Sequence, residues 1–335
     1  MKTFFLQRKF TLFFIILLGI GSFVWQRTPN PITEAYPFGE ANFGIKIPGD
    51  FSFIILPDTQ YYSQKHPEIL MSQMNWIKDF HQELNTQAVI TLGDIVQSRD
   101  DREEEWQNAT KAYDILDNTN LPYNVLPGNH DISESGATKL FNRYFPPERF
   151  DQKPWYGGNH DGTNRNNFIT FDVEGIDFVV VSLEYCPPDN ATLWAREVFE
   201  RHSDKIGVLA THAYLNAVGV RSEECKRSTR RGDNSGMNIW EKVVKPSKNV
   251  QIVMNGHFHA KQGGTYLTTE VDDRTVHQIM SNYQDFENGG NGFLRIMSFF
   301  IEGETIRVNA YSPFIESFLT DSVNNFEFEI DGLSS

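Results

Sequence analysis

Five short apolar runs in this chain each lead into residues that bind metals or carry protons. "FSFIIL" (51–56) runs into Pro57-Asp58-Thr59-Gln60, and "AVITL" (88–92) into Gly93-Asp94. "YNVL" (123–126) leads to Pro127-Gly128-Asn129-His130-Asp131. "IGVLA" (206–210) leads to Thr211-His212, and "VQIVM" (250–254) to Asn255-Gly256-His257-Phe258-His259. Continuous apolar runs of this length, rich in β-branched residues, read as strands buried on both faces. Helical patterns lie between them. The segment from Pro67 places Leu70, Met74, Ile77 and Leu84 at helical spacing, and the segment from Asp100 opens with acidic residues that suit a first turn. Alternating strands and helices imply a parallel sheet with crossover helices. Sites in such sheets form beyond the carboxyl ends of the strands, so five distant motifs can converge on one edge.

The second half changes character. "NFITFDV" and "IDFVVVSLE" flank Glu174-Gly175, a hairpin signal. A helix pattern, "ATLWAREVFERHS", precedes the strand at 206–210, and a polar loop runs from Asn216 to Gly236. After a further helix pattern, "MNIWEKVV", the chain is mostly strand: "GTYLTTEV", "RTVHQIM", "FLRIMSFFI", "TIRVNAY". This is an α/β chain with an added antiparallel sheet. Asn282-Tyr283-Gln284 follow "VHQIM"; Tyr283 could line a site or simply pack. The expected organisation is an N-terminal segment over 1–25, a Pro/Gly-rich linker over 26–50, one domain over 51–320 and a C-terminal tail over 321–335.

Lys2, Arg8 and Lys9 precede an apolar run from Phe10 to Trp25. A basic flank followed by such a run reads as an export signal, either cleaved or retained as a membrane anchor. A buried apolar element is the alternative. The run is shorter than the roughly 20 residues of a comfortable membrane span. The expected location is therefore exported: periplasmic, extracellular or membrane-anchored. The chain carries 44 acidic and 30 basic side chains, a net charge of −14. That balance repels polyanions and argues against a broad nucleic-acid surface, while leaving room for a small phosphate-bearing substrate held by local cations. Cys186 and Cys225 are too few for a disulfide scaffold or a cysteine-rich zinc site. In an oxidising compartment they could form one bridge; two separate thiols is the other reading.

"GNHD" occurs twice, at 128–131 and 158–161. The first copy follows an apolar strand and so falls on the ligand edge. The second follows "KPWYG", which lacks strand character, and reads as a turn-forming loop, "GGNHDGTNRNN". Asn129 and His130 are the copy expected to do chemistry. His257 and His259 alternate in an extended stretch and so point the same way. Lys226, Arg227, Arg230 and Arg231 cluster after His212, as phosphate-binding residues or as a solvated loop.

The set Asp58-Thr59-Gln60, Gly93-Asp94, Gly128 to Asp131, His212 and Gly256-His257-Phe258-His259 resembles the calcineurin-like metallophosphoesterase superfamily. That signature reads D-x-H, G-D, G-N-H-D/E, an isolated His and G-H-x-H, here spanning about residues 51 to 260. The downstream segment from His277 is similar to a bacterial branch whose first motif is P-D-T-Q. The resemblance implies a four-layer α/β/β/α sandwich with mixed sheets and two divalent metal ions. It implies that Asp94 bridges both ions, that Asp58, His259 and Gln60 serve the first, and that Asn129, His212 and His257 serve the second. His130, held by Asp131, would protonate the leaving oxygen rather than ligate. Carboxylate, amide and neutral imidazole suit Mn, Fe or Zn. Gln60 departs from the usual His, and Gln97 stands where purple acid phosphatases carry a tyrosinate, so a purple ferric site is not expected.

The function expected from these readings is hydrolysis of a phosphate mono- or diester by in-line attack of metal-bound hydroxide. The alternatives are a nuclease of the same superfamily and a non-catalytic, membrane-tethered binding protein. Neither the substrate nor the oligomeric state follows from the sequence.

Overall fold

A computed structural model describes residues 30–31, 49–225 and 233–334. Strands are β1 (Asn30–Pro31), β2 (Phe51–Leu56), β3 (Thr86–Thr91), β4 (Tyr156–His160), β5 (Thr163–Val173), β6 (Ile176–Leu183) and β7 (Ile206–Thr211). They continue with β8 (Val250–Asn255), β9 (Gly264–Val271), β10 (Arg274–Ser281), β11 (Leu294–Phe300), β12 (Thr305–Ser312), β13 (Ser317–Leu319) and β14 (Asn325–Glu329). The longer helices are α1 (Gln60–Lys65), α2 (Pro67–Phe80), α3 (Glu103–Asp117), α4 (Lys139–Tyr144) and α5 (Asp189–Arg201).

Two mixed sheets result. One runs β1-β14-β12-β11-β2-β3, with β13 on β12; the other runs β4-β5-β6-β7-β8-β10-β9. β2 and β3 are parallel, as are β6, β7, β8 and β10. The sheets pack face to face through aromatic rings. Phe51 stacks on Phe299 at 4.5 Å, and Phe53 meets Phe178 edge-on at 5.1 Å and Phe171 at 5.5 Å. Alternation along β6 shows the layering: Phe178 and Val180 enter the inter-sheet core, while Val179 and Val181 face the cluster of α5 residues Ala191, Ala195, Val198 and Phe199. On the far side, α2 buries Ile69, Leu70, Met74 and Ile77, with Trp76 against Tyr311 of β12 at 5.3 Å. The order is helix, sheet, sheet, helix, as expected.

Several local expectations change. The second GNHD is not a loop: Tyr156–His160 is a strand paired with β5. Its glycines let it lie flat on Phe168, where a Cβ at Gly157 would sit 2.1 Å from the ring. Asp161 and Gly162, with φ of 58° and 76°, make the two-residue hairpin turn that joins His160 to Thr163. "YNVL" is extended but makes only the isolated bridge Val89↔Tyr123. The Asn124 side chain takes over the ladder there, accepting from Thr91 N–H at 2.7 Å and donating to Thr91 O at 3.1 Å. The third helix begins at Glu103 rather than Asp100, because the Asp100 carboxylate accepts from Leu140 N–H at 2.8 Å, at the start of α4. The segment 321–335, expected as a tail, supplies β14, which pairs with β12 and with β1, so the sheet continues past residue 320 and into the expected linker.

Residues 1–25 and the basic cluster Lys226, Arg227, Arg230 and Arg231 lie outside the described residues. No helix among the described residues is long and apolar enough to cross a membrane.

Candidate metal centre

The carboxyl ends of β2, β3, β7 and β8 bring their following residues to one place. Asp58, Asp94 and His212 are buried, and they present ligand atoms all within 4.8 Å of one another. Backbone N–H groups hold both carboxylates, and the Gln60 side chain adds a bond to Asp94. The Asp58 carboxylate accepts from His257 N–H at 3.1 and 3.2 Å. Asp94 Oδ1 accepts from His130 N–H at 2.9 Å, and Asp94 Oδ2 from Gln60 Nε2 at 3.1 Å. Two glycines make this closeness feasible. A Cβ at Gly128 would lie 2.1 Å from Asp94 Oδ1, and one at Gly256 would lie 2.1 Å from Asp58 Oδ2. The G-N-H and G-H motifs therefore need glycine because a carboxylate occupies the space of the side chain.

The donor set fits a cation. His212 Nδ1 faces the Leu92 carbonyl at 2.8 Å, so that nitrogen carries the hydrogen. Its Nε2 then points at Asn129 Oδ1, 3.0 Å away, and Asp94 Oδ1, 3.3 Å away. Three electron-rich atoms converge there. The buried Gln60 Oε1 has no hydrogen-bond partner. The electrostatics point the same way. Burial pushes Asp58 up to about 8, with Asp94 adding to the rise. Burial opposes a charged His212, yet Asp94 outweighs it and carries the imidazole up to about 9. A positive charge among these atoms relieves both perturbations. Burial and the adjacent His212 hold His257 down to about 3, leaving it neutral as a ligand imidazole must be.

The other expected residues lie around this group. The His257 ring is 4.9 Å from that of His212, and Tyr185 packs on both rings at 5.2 and 5.8 Å. His259 is more exposed; its Nδ1 meets Asp285 Oδ1 at 2.7 Å and its Nε2 meets the Gln284 amide. The expectation that Asp131 holds His130 is corrected. Asp131 is fully buried and accepts from Ile95 N–H at 3.0 Å, Val96 N–H at 2.9 Å and Gly128 N–H at 2.8 Å. It ties two strand-end loops together, with both of its oxygens turned to backbone N–H groups. The Gln97 carbonyl holds His130 instead, 2.9 Å from Nδ1. His160 packs its ring on Trp194 of α5 at 5.7 Å. Tyr283 packs in the core beside Phe293, and its neighbour Gln284 reaches the site. Sequence reasoning noted Gln284 only as a neighbour of Tyr283, and passed over Asp285 and the Gln97 carbonyl. The signal for the first two was a sixth strand, β10, ending on the same edge as β8, with Met280 opposite Asn255.

A two-sheet sandwich that gathers buried carboxylates and histidines at its strand ends has the donor set of a metal-binding protein. The chain belongs to the calcineurin-like phosphoesterase family, whose model matches residues 51–261. It is 34% identical over 286 residues to the uncharacterized protein YvnB of Bacillus subtilis, covering 82% of this chain. The chain spans only 21% of that relative's length. Among solved structures it is similar to a dimetal phosphatase from Danio rerio, with a TM-score of 0.51, 12% identity, and coverage of 85% of this chain and 100% of that one.

Proposed function

We propose that this protein hydrolyses a small phosphate mono- or diester with two divalent ions. Asp58, Gln60, Asp94, Asn129, His212, His257 and His259 would hold them. The observation that carries the reading is the convergence of Asp58, Asp94 and His212 within 4.8 Å at the ends of three strands. Bound divalent ions would supply Lewis acidity and a more acidic water at neutral pH. The chain supplies the rest. Buried carboxylates and neutral imidazoles fix the donor set. His130, anchored through its N–H to Asp94 and through Nδ1 to Gln97, leaves Nε2 as the nitrogen that can hold and release a proton toward a leaving oxygen. The net charge of −14 favours a small substrate over a long polyanion.

The Cys186–Cys225 disulfide supports an oxidising compartment, in line with the export reading of residues 1–25. The test of function is a panel of phosphomonoesters and phosphodiesters with added Mn, Zn, Fe or Mg. Metal-dependent turnover of a small ester, abolished by a chelator, is expected. Preferential cleavage of DNA strands would replace this reading with a nuclease. No turnover with any metal would replace it with a binding protein.

A further inference from the structure

Beyond β10 the chain turns through residues 282–285, beside the Gly256–His259 turn that follows β8. Gln284 lies between two of the proposed ligands. Its Oε1 accepts from Gln60 Nε2, and its own amide nitrogen meets His259 Nε2. We propose that Gln284 is a positioning residue of the metal centre, fixing which end of the Gln60 amide is free to face an ion. The inference rests on the reading of Gln60 and His259 as ligands.

The hydrogen-bond inventory gives the reason. Gln60 Nε2 donates both its hydrogens, one to Asp94 Oδ2 and one to Gln284 Oε1. The oxygen is then the atom left over, and it is the buried, unpartnered one. Reversing the Gln60 amide would set its oxygen against two acceptors. Gln284 therefore selects the orientation in which Gln60 can offer oxygen to a cation. At His259, Asp285 faces Nδ1 at 2.7 Å and takes its hydrogen, so Nε2 carries the lone pair. The Gln284 amide meets that same lone pair, so this contact gives way when His259 holds an ion, and the role of Gln284 rests on Gln60.

Gln284 is itself well placed to do this. Its N–H donates to Asn282 Oδ1 at 3.0 Å, which closes the turn. Next to it, Tyr283 is buried against Phe286 and Phe293. The Tyr283 hydroxyl accepts from Arg295 Nε at 2.8 Å and donates to Asn324 Oδ1 at 3.0 Å. Arg295 belongs to the other sheet, so both sheets fix the turn.

The experiment compares the full-length protein with Gln284→Met, Gln284→Ala and His259→Ala, each loaded with Mn and dialysed against graded chelator. Bound Mn is counted by elemental analysis. Unfolding midpoints of the chelated proteins are measured in parallel. Gln284→Met keeps the volume and removes the amide. It should release one ion at tenfold or more lower chelator than the wild type, with an unchanged midpoint, and Gln284→Ala should match it. Wild-type chelator sensitivity in Gln284→Met, with an ion lost from His259→Ala, would overturn the positioning role. So would a midpoint that falls together with metal retention, since that marks a packing role. Two tightly held ions in His259→Ala would overturn the ligand reading beneath it instead.

Discussion

His130 and His160 come from the same four letters and meet different surroundings. The first hangs from Asp94 and Gln97 at the ligand edge; the second lies on Trp194. His130→Ala should lower turnover about a hundredfold or more while bound metal stays, the pattern of a lost proton donor. His160→Ala should change it little. Steady-state kinetics with metal analysis checks both, and greater damage from His160→Ala would sink the assignment. Asp94→Asn should lose metal and activity together, because one carboxylate faces His212 on Oδ1 and Gln60 on Oδ2. An active Asp94→Asn enzyme with two ions per chain would count against it. The positions of Asp58, Asp94, His212 and His257 were legible from their place after apolar runs. The partner of His130 was not. Hydrogen-bonding to a main-chain carbonyl leaves no residue-type signal, and Asp131 entered as the partner of His130 only through the family resemblance.

At the scale of elements, the strand-end turns carry the chemistry, and their glycines are steric requirements. Gly256→Ala would thrust a methyl group to 2.1 Å from Asp58 Oδ2. The carboxylate must move, so bound metal should fall severalfold or more while far-UV circular dichroism keeps the wild-type shape. Full metal occupancy in Gly256→Ala would show that Asp58 can shift at no cost to the site. Strand existence was readable where β-branched runs were long, as in β6 and β8. It failed at β4, where Gly157, Gly158 and Asn159 have low strand propensity. Pairing with β5 and contact with Phe168 override that propensity, and the Asp161-Gly162 pair was the available hairpin cue. It also failed at Asn124, whose side chain does the pairing that a strand backbone would do. The bridge between Cys186 and Cys225 joins the loop after β6 to the loop after β7, with Cα atoms 5.8 Å apart. Composition allowed it; only the meeting of those loops made it.

The whole molecule depends on two sheets staying apposed, and His277 sits among their packed side chains. It is buried, with its ring stacked on Phe328 at 4.1 Å and Nδ1 at 2.6 Å from the Tyr266 hydroxyl. Burial depresses its pKa from 6.5 to about 4. The folded state thus binds this proton less readily than the unfolded chain. The stabilisation is present above pH 6.5 and is lost as pH falls toward 4. By pH ~5 the loss is about 2 kcal/mol. His277→Phe should therefore lose less stability than the wild type between pH 7.5 and 5, by roughly that amount, in urea titrations. Parallel losses would mean that His277 becomes protonated without leaving the fold.

By itself, the sequence determined that the chain alternates buried strands with helices and that metal-binding side chains follow the strands. It also determined that the first GNHD lies on the ligand edge. Those are local properties, carried by apolar runs and by the residues directly after them. The tertiary structure alone decided that Asn325–Glu329 extends one sheet as β14, that Asp131 belongs to the backbone, and that the turn after β10 brings Gln284 between Gln60 and His259. Each depends on which strands become neighbours, and strand order is set by the packing of the entire chain rather than by any segment within it.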